Sequence, residues 1–281
     1  MLKPVAALQD FLDQTSVIWN AQGGQPALNS QAALELAGFA RPETIGTAYS
    51  QALMLFEAAA DYSFALVKTL TEPVEAVAPW SCARSVLETS TLATWLWDVN
   101  INARQRAQRS LAFRHEGLKQ QLKLAQALKG ELDSEKAIER LKEVEKIAVE
   151  LGFAQMGREK GKEQVVFDKP MPSITQVVTE VVDKQVNYRL LSAMVHGHAW
   201  ALQPLSFGKI GESQDIFDGV KGKYAEKYVD FTAIAFLCVE TITGLSRPIL
   251  MKFKLFGWDL QPMILARNGA MNEIKVSYLG L

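Results

Sequence analysis

The sequence predicts an all-α fold: a single helical bundle of six to eight helices, with irregular loops and an irregular C-terminal tail. Three observations predict it. Apolar residues recur at helical spacing, as at Leu53, Phe56, Ala60, Phe64 and Val67. Short breaks built on Pro, Gly, Asn and Asp separate the helical stretches. No fixed-period repeat and no low-complexity tract divides the 281 residues into two cores. The expected organisation is one domain over 1–281, with an N-terminal extension at 1–40, a bundle core at 44–253 and a tail at 254–281.

The elements follow in order. Val5 to Trp19 reads as a helix, followed by a Gly-Gly-Gln-Pro turn. Glu43 to Leu70 is apolar on its main stripe and also at Met54, Ala58 and Ala65, which places it in the middle of the bundle. A second core helix runs from Val74 to Asp98, and Asn100 and Asn102 make a break. Ala103 to Leu128 follows, and then Glu135 to Leu151, whose charged outer face marks a surface helix. Periodicity fails between Gly152 and Pro172, which reads as a polar loop. Ser173 and Gln176 are spaced as a capping box. The helix they open is interrupted near Asp183-Lys184, continues from Val186 to Leu202 and stops at Gln203-Pro204. Ser206 to Gly222 reads as a glycine-rich loop. A last long helix runs from Tyr224 towards Phe253, with a kink or an early end at Pro248. Beyond Gly257 the tail is irregular, with short strands expected at Glu273 to Tyr278.

Composition narrows the function classes. Apolar residues make up 48% and charged residues 22%, as in a folded globular chain. The formal charge is -1 and the pI about 6.4, so no global field attracts nucleic acid or an anionic membrane. The two cysteines, Cys82 and Cys238, lie in apolar runs and read as reduced core thiols. The N-terminus lacks a long apolar stretch, and Phe231 to Met251 is interrupted by Glu240 and Arg247. A cytoplasmic protein without a membrane span is the expectation.

Glycine-rich phosphate loops, Gly-x-Ser-x-Gly, His-Glu-x-x-His and Cys-x-x-Cys are all missing from the sequence. Of the three histidines, His196 and His198 fall roughly 200° apart on a continuous helix, and they converge on one metal only if Gly197 breaks it. No metal and no cofactor is expected.

One constellation carries chemistry. Arg189 and His196 are seven residues apart, so they lie within about 20° of one helix face and about 10 Å apart along it. Ser192 lies between them. An arginine fork grips phosphate oxygens, and an imidazole titrates near neutrality and moves a proton. Attack of a ribose 2′-hydroxyl on its own phosphodiester requires those two functions and no metal. Tyr188 and His198 flank the motif.

An arginine and a histidine separated by six residues, late in a helical bundle, resemble the signature of the HEPN superfamily (higher eukaryotes and prokaryotes nucleotide-binding domains). Arg84-Ser-Val-Leu-Glu88 followed by Thr91 to Trp97 is similar to uncharacterised bacterial helical proteins of this type, and the similarity spans roughly residues 44 to 250. Leu190 stands where active members often carry a polar residue. The resemblance implies a metal-independent ribonuclease of a toxin or phage-defence system. It implies a homodimer that brings two motifs together, and an antitoxin or other protein partner. Arg189 would hold the scissile phosphate and His196 would act as acid/base, with Ser192 beside them.

Other residues keep two readings. Arg84 and Glu88 form either an intrahelical ion pair or polar contacts of a pocket facing Arg189. Arg104, Arg106, Arg109, Arg114, Lys119 and Lys123 oppose only Glu116 over one helix, giving either an RNA-backbone track or a solvated face paired with the acidic helix at 135–150. Trp80, Trp95 and Trp97 serve either as a stacking platform or as core. Beside the ribonuclease stand a non-enzymatic helical interaction protein and a small-molecule or nucleotide-binding bundle, so enzymatic activity itself stays open.

Overall fold

Helix starts in this chain are set by proline and by capping side chains. Proline occupies the first turn of α1 (Lys3–Asn20), α3 (Pro42–Thr69) and α4 (Ala78–Leu96), where its missing N–H costs nothing. Ser30 caps α2 (Gln31–Gly38) by accepting from the Ala33 amide. Asn102 and Gln105 form a reciprocal capping box on α5 (Ala103–Ala127). α6 spans Ser134–Glu150. The computed structural model describes residues 2–128, 134–159, 162–217, 220–227 and 230–279.

After α6 the chain forms an antiparallel hairpin, β1 (Ala154–Glu159) and β2 (Lys162–Phe167), in place of the expected loop. Ala154 and Phe167 are opposite each other and both buried, which anchors the hairpin. Ser173 caps α7 (Ile174–Val177) through the Gln176 amide, but the Gln176 side chain turns forward to Glu180, so the reciprocal half of the expected capping box is not made. The helix then widens into a π-turn at Val178–Val182 and ends at Asp183, where φ is +50°. α8 (Gln185–Val195) and α9 (Ala199–Ser206) follow. Pro204 lies inside α9 and does not end it. The segment expected as a glycine-rich loop pairs as a second hairpin, β3 (Phe207–Phe217) with β4 (Val220–Lys227). α10 (Phe231–Phe256) is capped by Asp230 and continues through Pro248. The tail is a helix, α11 (Gln261–Leu279), not an irregular segment with strands.

Eleven α-helices therefore form among the described residues, more than the six to eight expected. α2 and α11 have no counterpart in that expectation, and the helix expected from Val186 to Leu202 is divided into α8 and α9. α4 and α10 pack against each other at the centre. α3, in contrast, exposes Met54 and Tyr62 on its outer side. α1 buries Val5, Leu8, Phe11 and Leu12 against α11, α10 and α3, so this helix is part of the continuous apolar core and not an extension outside it. α10 is long and apolar enough to cross a membrane, and most of it is buried within the bundle. Its Glu240 is paired with Lys184 at 2.8 Å.

Candidate functional site

α8 turns Tyr188, Leu191 and Met194 into the core and leaves Arg189 exposed and Ser192 half-buried on the other side. The helix ends in a Schellman motif. His196 is the last residue with near-helical dihedrals, and its amide bonds to Ser192 at 2.9 Å. Gly197 takes φ +72° and donates to Met194, and His198 donates to Ala193. His198 then opens α9 from an extended conformation. Gly197 therefore does break the helix, and it leaves both histidines exposed with ring centroids 6.5 Å apart. With Zn–N near 2 Å, bridging two imidazoles allows about 6.4 Å at most, in a straight line that tetrahedral zinc does not use. Among the described residues, no group of three His, Cys, Asp or Glu side chains is placed to hold a metal ion.

A second helix completes the site. Arg84 of α4 places Nη1 3.2 Å from His196 Nε2 and donates through Nε to Glu88 Oε1 at 2.8 Å. Its guanidinium lies 5.6 Å from the centre of the buried Tyr188 ring. A guanidinium can only donate, so a hydrogen bond here requires Nε2 of His196 as the acceptor. Partial burial pulls the Arg84 pKa down, but the Glu88 carboxylate and hydrogen bonding with Tyr188 outweigh that, and the net shift is upward. Arg84 is thus a fixed cation whose partner carboxylate sits on its own helix.

Arg84, Glu88, Tyr188 and His196 come together, with His198 beside them. Arg84 makes the intrahelical ion pair with Glu88 and also meets His196. Arg189 lies two helical turns before His196 and has no ion-pair partner among the described residues. Arg189 and His196 of α8 are exposed, with Ser192 half-buried on the same helix and the partly buried Arg84 in contact with His196.

The basic helix α5 is not an open cationic track. Arg106 is fully buried and bonds both oxygens of Glu35, at 2.7 and 3.2 Å, as well as the Leu96 and Asp98 carbonyls. Arg109 is held by Asp98 and by the Trp95 carbonyl. Arg104 donates to the Gly152 carbonyl and covers the Phe153 ring. Arg114 is half-buried. The partners are Glu35, Asp98 and carbonyls at helix ends more than the acidic face of α6, where His115 pairs with Glu145. Trp80, Trp95 and Trp97 are core residues. Cys82 and Cys238 are free thiols, and burial pushes Cys238 up to about 12.

Two buried charge sites have no signature in the sequence. One is the Glu35–Arg106 pair, which also receives the Tyr49 hydroxyl at 2.7 Å. The other is Lys252, whose ammonium lies 3.9 Å from the Trp19 ring centre and within 5.3 Å of Trp97, Phe256 and Trp258. Glu35 reaches Arg106, and Trp19 and Trp97 reach Lys252, from distant helices, so no local spacing marks those contacts. In comparisons with known proteins, no family model, no curated protein and no solved structure matches the chain.

Proposed function

We propose that this protein is a HEPN-like, metal-independent ribonuclease acting through Arg84, Arg189 and His196. The observation that carries the reading is the contact of Arg84 with His196 at an exposed helix end, with Arg189 exposed on the same helix. A phosphodiester on this face would take its two non-bridging oxygens to the guanidinium forks. It would draw Arg84 from Nε2 of His196 and free that nitrogen as a base. His196 then removes the proton of the ribose 2′-hydroxyl. The 2′-oxygen bonds to phosphorus and the bond to the 5′-oxygen breaks. Products are a 2′,3′-cyclic phosphate and a 5′-hydroxyl, which receives a proton from an imidazolium or water. Ser192 and His198 border the face and contact the flanking nucleotide. The working form is a cytoplasmic homodimer that joins two such faces into a cleft, held in check by an antitoxin-type protein.

Purified full-length protein is expected to cleave single-stranded RNA in excess chelator. His196→Ala should lower the rate by about 10²–10⁴-fold, the usual contribution of acid–base catalysis, with an unchanged melting temperature because the side chain is exposed. RNA left intact by the parent protein would sink the catalytic reading. A module that binds a nucleotide without turnover is the second reading. It is favoured by the open setting of His196, outside the cleft between α5, α6 and β2. Equal binding of RNA by parent and His196→Ala, with no cleavage by either, would select it.

A further inference from the structure

A cleft of about 490 Å³ lies between α5, α6 and β2. Four consecutive residues of β2, Gln164 to Phe167, border it, and none from β1 does. Successive strand side chains point to opposite faces. Four in a row along one wall therefore mean that the cleft runs along the edge of the strand, not over a face of the sheet.

The register says which backbone groups face it. Asp168 donates to the Phe153 carbonyl at 3.0 Å, and Val166 is opposite Gln155. Even-numbered residues of β2 therefore make the hydrogen-bonded pairs with β1, and the odd-numbered ones turn N–H and C=O outward. Val165 and Phe167 are such residues, and no hydrogen bond among the described residues reaches their outward groups. An unpaired edge is a template for another strand. Here α5 lines the facing wall through Ala112, His115, Glu116 and Lys119, and its His115 ring lies 4.6 Å from the Phe167 ring.

The rest of the channel describes its occupant. Leu141 and Met171 join Phe167 in an apolar floor. At one end stand the carboxylates of Glu116 and Glu145, against Lys119 as the one fixed cation there; Glu145 also holds His115 at 3.2 Å. The cleft continues past Ala112 and Pro170 into a second hollow of about 250 Å³ that reaches Gln105. From Gln105 to Lys119 the channel follows α5 for about 21 Å at 1.5 Å per residue, the length of roughly six extended residues.

We propose that this channel binds an extended peptide segment of a protein partner by strand addition to β2. Apolar side chains at alternate positions enter the floor, and a basic side chain meets Glu116 and Glu145. The site is separate from the Arg84–His196 face and does not depend on the chemistry assigned there.

The test uses full-length protein and a capped hexapeptide of alternating lysine and valine, followed by amide NMR. Saturable shifts of the Val165 and Phe167 amides, with slowed hydrogen exchange at both, are expected. The same peptide N-methylated at alternate amides cannot extend the ladder and should bind at least about tenfold more weakly. Glu116→Lys should weaken the lysine peptide and favour its glutamate counterpart. Three results overturn the proposal: no shift of the Val165 and Phe167 amides at millimolar peptide, equal binding of the N-methylated peptide, or the same shifts on raising protein concentration alone, which would assign the edge to a second copy.

Discussion

Arg106 and Glu35 illustrate how a charge in the sequence changes meaning once its surroundings are known. Arg106 has zero exposure, and its forked contact with Glu35 is supported by Tyr49 and by two carbonyls. Burial and the Glu35 hydrogen bond both push the Tyr49 hydroxyl far above its ordinary pKa, so it stays a donor. Glu35→Ala leaves the guanidinium without a counter-ion and should cost about 3–5 kcal/mol in urea denaturation. The double variant Glu35→Leu with Arg106→Met should recover most of that loss. A single variant as stable as the parent would show that the pair does not anchor α2 to α5.

Lys252 behaves in the opposite sense. Burial brings its ammonium down to about 8, with Glu57 pulling the other way, while four ring faces favour the cation. In the unfolded chain a lysine titrates near 10.4. Below about pH 8 both states carry the proton and the burial cost is constant. Between about 8 and 10.4 the unfolded state binds more protons, so stability rises with pH. Lys252→Met should be more stable than the parent at pH 7 by about 1–3 kcal/mol, and the gap should close towards pH 10. A gap that is the same at every pH would remove the titration from the explanation.

At the scale of elements, the end of α8 decides the geometry of the candidate site. Gly197 at φ +72° lets the chain leave the helix and sends His198 away from the axis. A Cβ there meets only Leu202, at 3.9 Å, so the cost of Gly197→Ala is backbone strain, about 1 kcal/mol. Thermal denaturation should register a drop of a few degrees, and an unchanged melting temperature would mean the turn tolerates a side chain. Where helix starts were readable it is because such signals act locally: Asn102 and Pro42 stand at observed starts, whereas α10 begins at Phe231 behind Asp230 and not at Tyr224. α11 was missed for the converse reason. Ile274, Val276 and Tyr278 alternate like a strand, yet Met263, Ala266, Ala270 and Ile274 form the helical stripe that is buried. Two periodicities coexisted there, and packing against α1 and α10 selected one. The hairpins escaped notice because their strands carry only partial alternation. What fixes β1 against β2 is burial of Ala154 and Phe167.

For the molecule as a whole, the sequence by itself determined the helical class and most helix boundaries, since periodicity and capping are properties of neighbouring residues. It also placed Arg189, Ser192 and His196 on one stripe, by the arithmetic of 3.6 residues per turn. Only the tertiary structure decided which cations are available. It withdrew Arg106 into the core and tied down Arg104 and Arg109. It brought Arg84 from 112 positions away to His196 and left both Arg189 and His196 in solvent. Burial and long-range pairing depend on which helices meet, and no local pattern encodes that meeting. Hence the helices could be read directly, while the partners of each charge had to be seen.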